Sequence, residues 1–268
     1  MKDLINAVVL AIVEGVTEFL PISSTGHLIL FEKCFSISKD KTFQDTFLIV
    51  IQFPAIIAVL VKYWKVLLPP LSNFESQKKW FLLWLKIAVA FLPAGIVGFF
   101  LDDLIDYYLF NPIVVAVSLV LGGIVMLLFE YGGYVKNKFS DIEIITFGFA
   151  LGVGIVQCLA MVPGVSRSAA TIIGALIFGA SRTVAVEFSF YLAIPTLAGA
   201  CFLRMVKHGL NFGSREYLLI FIGSVVSFLV SYMVITFFIN FIKKRGFNLF
   251  GWYRILVGGA ILLISLYL

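Results

Sequence analysis

Residues 14–27 read Glu14-Gly15-Val16-Thr17-Glu18-Phe19-Leu20-Pro21-Ile22-Ser23-Ser24-Thr25-Gly26-His27. Residues 157–171 read Gln157-Cys158-Leu159-Ala160-Met161-Val162-Pro163-Gly164-Val165-Ser166-Arg167-Ser168-Ala169-Ala170-Thr171. A shift of 143 residues sets Gln157 against Glu14, Ser166 against Ser23 and Arg167 against Ser24. Each stretch is a polar knot in an apolar chain. Of the 268 residues, 61% are hydrophobic and 13% charged, whereas a soluble domain carries about 25% charged residues. Polar groups in such a chain must offset their own desolvation, so the two knots mark where function lies.

Working outward, apolar segments long enough to cross a bilayer cover residues 44–61, 80–101, 112–129, 185–206, 217–242 and 251–268. The pieces that flank the knots, 4–16 and 25–35, then 142–159 and 168–180, are shorter. A helix of about 13 residues covers about 20 Å, less than a hydrocarbon core of about 30 Å. The economical reading is a re-entrant pair of half-helices with a knot at its tip, which is tolerated at membrane depth only inside protein or beside a wet cavity. One long kinked span at each knot is the alternative. The expected fold is therefore all-α, a polytopic membrane protein in a single membrane domain. Residues 1–130 and 142–268 form two repeats, each of one hairpin and three spans. Three is odd, so the second repeat is inverted and the hairpins meet near the midplane, as in secondary transporters. Phe47–Pro54 also pairs loosely with Phe188–Pro195.

The first apolar run continues into Glu14 and Glu18 and shows no signal-peptide cleavage pattern. The net charge of +5 sits mainly in loops and forms no stripe suited to nucleic acid. One set of loops holds Lys62, Lys65, Lys78, Lys79, Lys136, Lys138, Arg182, Lys243, Lys244 and Arg245. The other holds Lys2, Lys33, Lys39, Lys41, Arg204, Lys207 and Arg215 with Asp102, Asp103 and Asp106. The first set is larger and lacks the acidic cluster, which places it in the cytoplasm and the mouth of the first hairpin outside.

Glu14 and Glu18 are spaced i, i+4, so they share a helix face. Two carboxylates at a helix C-terminus call for a positive partner, and oxygen-rich surroundings suit Mg²⁺ or Ca²⁺. Ser23, Ser24, Thr25 and Gly26 open the next half-helix, whose free N–H groups form an anion site. At the second tip Pro163-Gly164 turns the chain and Ser166-Arg167-Ser168 opens a half-helix, with Thr171 one turn along. Arg167 adds a forked guanidinium suited to phosphate oxygens. Together these groups describe a pyrophosphate cradle. Each has a plainer reading as well: the carboxylates as a proton relay or internal salt bridge, the serines as helix caps, Arg167 as the ion-pair partner of Glu18, His27 as a packing residue. Cys34, Cys158 and Cys201 are isolated apolar fillers, and His208 is a loop residue. Glu187 reads as an interfacial anchor or a partner of Arg182. Gly122-Gly123 and Gly258-Gly259 permit close helix contact.

The two knots as quoted, with Gln157-Cys158 and Glu187–Phe190, resemble the bacterial undecaprenyl-pyrophosphate phosphatases, the family linked to bacitracin resistance, over essentially the full length. One departure is Ala169-Ala170, which follow Ser168 where a glycine is expected. The resemblance implies a metal-dependent integral membrane phosphatase that recycles the C55 lipid carrier of peptidoglycan synthesis. It implies a multi-pass protein of the bacterial inner membrane with its site open to the outer face. Glu14 and Glu18 then match the acidic motif, Ser24 and His27 its downstream polar residues, and Ser166, Arg167 and Thr171 the second motif. The expected catalytic set is Ser24, Glu18, His27 and Arg167. Ser23, Thr25, Gly26, Ser166, Ser168, Thr171 and Gln157 bind substrate, and Glu14 and Glu18 hold the metal. Ser24 is the first candidate nucleophile; His27 and a metal-activated water stay open. A flippase for the lipid carrier, which would need charge neutralisation but no nucleophile, is the competing function. The Pro-Ser-Gly-His phosphatase superfamily fits Ser24-Thr25-Gly26-His27 but lacks its downstream residues here. The expected partners are the polyprenyl pyrophosphate and membrane lipid, and the glycine-rich spans are compatible with pairing of two copies.

Overall fold

A computed structural model describes residues 1–32, 34–71, 73–134, 137–208 and 212–267. Among these the chain forms α1 (Lys2–Thr17), α2 (Ser24–Glu32), α3 (Lys41–Val50), α4 (Phe53–Lys62), α5 (Trp64–Leu67), α6 (Phe74–Leu109), α7 (Pro112–Tyr131), α8 (Phe147–Gln157), α9 (Arg167–Ile177), α10 (Arg182–His208), α11 (Ser214–Arg245) and α12 (Asn248–Tyr267). Short 3₁₀ turns cover Ile142–Ile144 and Cys158–Met161. Six stretches of helix among the described residues are long and apolar enough to cross a membrane. The protein is an all-α, multi-pass membrane protein.

The expected half-helices are present, and local chemistry explains their ends. Asn73, Asn111 and Thr146 accept the free N–H groups at the starts of α6, α7 and α8. Helix α1 gives way to a turn through Pro21, and α2 packs back against α1. Helix α8 tightens into the 3₁₀ turn, reverses at Pro163-Gly164, and α9 packs back against it. The two hairpins are enclosed by α6, α7, α10 and α11. A core of Phe19, Phe149, Phe188, Phe190 and Phe238 fills the space between them.

One of these spans is interrupted. Residues 44–61 form not one helix but α3 and α4, broken at Ile51-Gln52. Pro54 has no N–H to offer Val50, and Ala55 donates to Gln52 O instead of Ile51 O. The carbonyl of Ile51 so released accepts from the Ser227 hydroxyl of α11 at 2.6 Å. A buried break is thereby satisfied by protein, as a lipid environment requires.

Members of each loop set are held by ion pairs. Arg215 pairs with Asp3, tying the starts of α1 and α11, while Lys79 pairs with Glu143 at 2.9 Å among the other set. Lys86 reaches Glu143 O at 3.3 Å. Arg182 pairs with Glu130 at 2.6 Å, not with Glu187; five residues apart on one helix, Arg182 and Glu187 do not share a face. The side chains of Lys33, Asp102, Asp106, Lys136, Arg204, Lys207 and His208 lie outside the described residues. Of the glycine pairs, Gly123 and Gly258 bring α7 and α12 together within one chain: a Cβ at either would lie 2.7 Å from a carbonyl of the facing helix. Gly259 faces open space.

Candidate active site

The two hairpin tips are built alike. Ser23 and Ser166, the positions equated by the 143-residue shift, both have positive φ, 72° and 75°. In each, the hydroxyl oxygen accepts from the N–H three residues on, Gly26 or Ala169, at 3.3 Å. Such a conformation costs a serine about 1–3 kcal/mol and persists only where its surroundings enforce it. Gly164, at φ 93°, brings the second tip against α7; a Cβ there would lie 2.4 Å from Val115 O. Gly164→Ala therefore combines backbone strain with a clash against main chain. It is expected to cost about 2 kcal/mol or more, read as a lowered thermal midpoint of the purified protein in detergent.

Side chains join the tips. Ser168 donates to Leu20 O at 2.8 Å, so the 3.0 Å contact between the Ser166 and Ser168 hydroxyls has Ser166 as donor. Glu18 stands at the centre. One carboxylate oxygen accepts from the Ser24 hydroxyl at 2.7 Å and the other from Arg167 Nη2 at 2.8 Å. Arg167 Nη1 donates to Ser189 O at 3.0 Å, which fixes the guanidinium plane. Arg167 is thus the ion-pair partner of Glu18 in this structure, and both side chains are almost fully buried. Thr171, also buried, lies 2.6 Å from the Ser189 hydroxyl and 2.9 Å from Arg167 O, supporting α9 from behind.

A cavity of about 110 Å³ separates the tips. Glu18, Ser23, Ser24, Thr25, Ser166 and Arg167 line it, together with Pro163, Gly164 and Gln52. It abuts a groove of about 520 Å³ between α6 and α10, walled by apolar side chains, with Arg167, Gln52 and Gln157 as its polar members near the tips. It also abuts a polar vestibule of about 450 Å³ bounded by Thr25, Glu32, Lys41 and Asp45. Gln52, exposed by the α3–α4 break, borders all three spaces.

The remaining expected residues stand back from the cavity. Gln157 accepts from the Thr196 hydroxyl at 3.2 Å, while its Nε2 is buried without a partner. Gly26 packs toward Val115 and Leu119 of α7. His27 sits behind Ser23: Nδ1 is 2.8 Å from Ser23 O and Nε2 is 2.7 Å from the Tyr253 hydroxyl. A carbonyl only accepts, so Nδ1 carries the proton, and when the ring is neutral Nε2 accepts from Tyr253. The two rings are stacked at 5.6 Å.

Glu14 is fully buried one helical turn before Glu18, and neither of its oxygens has a hydrogen-bond donor. An ionised carboxylate in that state is costly unless a cation joins it. The pair Glu14 and Glu18 therefore fits a hard divalent ion, whose remaining ligands would be hydroxyl, carbonyl or substrate oxygens. Among the described residues no three His, Cys, Asp or Glu side chains converge.

Sequence reasoning gave no role to Gln52, Ser189, Tyr253 or Arg254. Gln52 and Ser189 carry no local signal, because their roles depend on a helix break and on a carbonyl. Arg254 did carry one: it is a lone arginine inside an apolar span, and intramembrane charge is functional by default. Its side chain is fully buried and its partners are main-chain oxygens of both tips.

Comparison with known proteins finds relatives over nearly the whole chain. The family described as bacitracin resistance protein BacA matches residues 7–260. Undecaprenyl-diphosphatase 1 of Clostridioides difficile strain 630 is 46% identical over 264 residues, covering 98% of this chain and 96% of the relative. Undecaprenyl-diphosphatase of Fusobacterium nucleatum is 48% identical over 265 residues, covering 97% and 99%. That of Clostridium tetani is 44% identical over 268 residues, covering 100% and 98%.

Proposed function

Because this chain belongs to the bacitracin resistance protein BacA family, we propose that the cavity between its hairpin tips is where it dephosphorylates undecaprenyl pyrophosphate. The protein is an undecaprenyl-diphosphatase, a membrane hydrolase that returns the lipid carrier to peptidoglycan synthesis and underlies bacitracin resistance. The observation that carries the site assignment is Glu18, with a serine hydroxyl on one oxygen and an arginine on the other. Both partners border a cavity that abuts an apolar groove.

In this reading the head-proximal part of the isoprenoid lies along the groove between α6 and α10, and the pyrophosphate enters the cavity. Arg167 and the N–H groups that open α2 and α9 bind its oxygens. Ser24 Oγ attacks the terminal phosphorus while its proton passes to Glu18. The bond from that phosphorus to the bridging oxygen breaks, that oxygen takes the proton from Glu18, and lipid monophosphate and a phosphoserine are left. Water then attacks the phosphoserine, its proton going through Glu18 to the Ser24 oxygen, and inorganic phosphate departs. Neither nitrogen of His27 faces the cavity with a free position in this structure, so its part here is to hold the Ser23 turn. The rival nucleophiles, His27 itself or water, are separated from Ser24 by mapping a trapped phospho-enzyme with mass spectrometry; phosphate on His27 would sink the serine assignment.

A divalent cation at Glu14 and Glu18 would screen the pyrophosphate charge and so favour attack by an oxygen nucleophile. Removal of divalent metal with EDTA should abolish phosphate release, and Mg²⁺ or Ca²⁺ should restore it. Independently of turnover, the ion should raise the thermal midpoint of the wild type, and Glu14→Gln should weaken that shift by about tenfold or more in ion concentration. An unchanged ion response in Glu14→Gln would remove this carboxylate from the metal site.

The likeness of the Ser23 and Ser166 turns supports reading residues 1–130 and 142–268 as inverted repeats. The loop-charge sorting supports a cytoplasmic-membrane orientation with the vestibule facing outward. Accessibility labelling of single cysteines at Lys41 and Lys79 in intact cells tests that orientation.

A further inference from the structure

We propose that Arg254 is a positioning residue that holds the two hairpin tips, and thereby Arg167 against Glu18 and Ser24, in catalytic register; the inference rests on the site assignment above. Arg254 lies in the second turn of α12 and is wholly buried. Its guanidinium is shared among five main-chain carbonyls from three parts of the chain. Nη1 donates to Pro21 O of the first tip at 3.1 Å. Nη2 lies 3.0 Å from both Gly164 O and Val165 O of the second tip and 3.2 Å from Ser118 O. Nε donates to Leu119 O at 3.3 Å. The last two carbonyls belong to α7, so one side chain pins both tips to a membrane-spanning helix.

The fork geometry explains why an arginine serves here. Its donors lie in one plane and point in fixed directions, whereas lysine has a single rotating ammonium. The room for the fork comes from Gly122: a Cβ there would lie 2.2 Å from Arg254 Nη2. The neighbouring Tyr253 adds a second tie to the first tip through its hydroxyl to His27 Nε2. The segments held by these contacts also contain two strained serines, Ser23 and Ser166, with positive φ. Strained turns persist only when neighbours over-determine them, and Arg254 is the one side chain among the described residues with hydrogen bonds to both tips and to α7. The charge is costly to bury. A core of apolar side chains could fill the same volume but could not specify the relative position of two turns.

The test compares Arg254→Lys, Gly122→Ala and Gly258→Ala with wild type, all as full-length protein in detergent. Gly122→Ala takes away the space for the guanidinium while Arg254 itself and the residues lining the cavity stay unsubstituted. Gly258→Ala crowds the same helix pair against Ala116 O without entering the space of the guanidinium, and controls for lost packing. Amide hydrogen exchange is read first, because it needs no turnover. Arg254→Lys and Gly122→Ala should each exchange at least about tenfold faster at residues 22–26 and 165–169, and Gly258→Ala should leave both tips as in wild type. In the phosphate-release assay the first two should lower kcat by about 100-fold while KM stays within about threefold, the pattern of misplaced catalytic groups. Gly258→Ala should keep the wild-type kcat per folded molecule. Unchanged tip exchange in folded Arg254→Lys would overturn the clamp, as would equal losses of kcat in Gly122→Ala and Gly258→Ala. A wild type that exchanges as expected but releases no phosphate would instead count against the site assignment.

Discussion

Arg167→Lys should release phosphate from undecaprenyl pyrophosphate about 100-fold more slowly than wild type, and Arg167→Ala about 1,000-fold more slowly. The expectation follows from the geometry of one guanidinium. Nη1 is fixed by Ser189 O and Nη2 by Glu18, while the group still borders the cavity. A planar fork so held can present N–H groups to phosphate oxygens without reorganising. Lysine keeps the charge but cannot span Ser189 O, Glu18 and a phosphate together. Alanine also leaves Glu18 as a buried carboxylate without its cation, which weakens the hydrogen bond network to Ser24. A steady-state assay on purified, folded variants reads the result. The lysine variant also separates the two functions read from the sequence. A flippase needs only neutralisation, so near-wild-type behaviour of Arg167→Lys in lipid translocation, with no phosphate released by any variant, would favour transport.

Ser24→Ala should lose at least about 10⁴-fold in turnover while binding the lipid pyrophosphate almost as tightly as wild type. The hydroxyl that is lost donates to Glu18 at 2.7 Å, and none of the cradle's main-chain N–H groups depends on it; the cap of α2 is formed by Ser23. The neighbouring Ser23→Ala serves as contrast. It removes the hydroxyl that caps the strained turn, so its loss should appear in stability and in KM as well as in kcat. Equilibrium binding beside single-turnover kinetics distinguishes the two patterns. Turnover by Ser24→Ala within about tenfold of wild type would pass the nucleophile to water or His27.

How much of this was legible in the sequence follows from which features are local. The half-helices were legible because their apolar runs are too short to span and end in capping residues. The tip chemistry was legible because Ser23, Ser24, Ser166 and Arg167 announce helix N-termini within a few residues of a proline turn. The meeting of Glu18 with Arg167 was one of several readings, because nothing local sets the distance between residues 149 apart. The α3–α4 break was hidden by hydrophobicity: Pro54 is tolerated near the start of a helix, and what stabilises the break is Ser227, far along the chain. Arg254 illustrates the reverse case. Its burial in an apolar span was visible, but its purpose is written in main-chain carbonyls, which have no sequence identity. His27, similarly, takes its orientation from Tyr253 in the last helix.

The groove between α6 and α10 also has an enzymological consequence. Its volume of about 520 Å³ suits a drug-sized ligand, far less than a C55 chain, and Phe99 and Phe202 on its wall are largely exposed on the outer surface of the spans. Most of the isoprenoid must then stay dissolved among acyl chains while the head is processed. Substrate arrives by lateral diffusion in two dimensions, and the concentration that governs the rate is its mole fraction in the bilayer or micelle. Diluting such an enzyme with detergent at constant bulk substrate is equivalent to starving it.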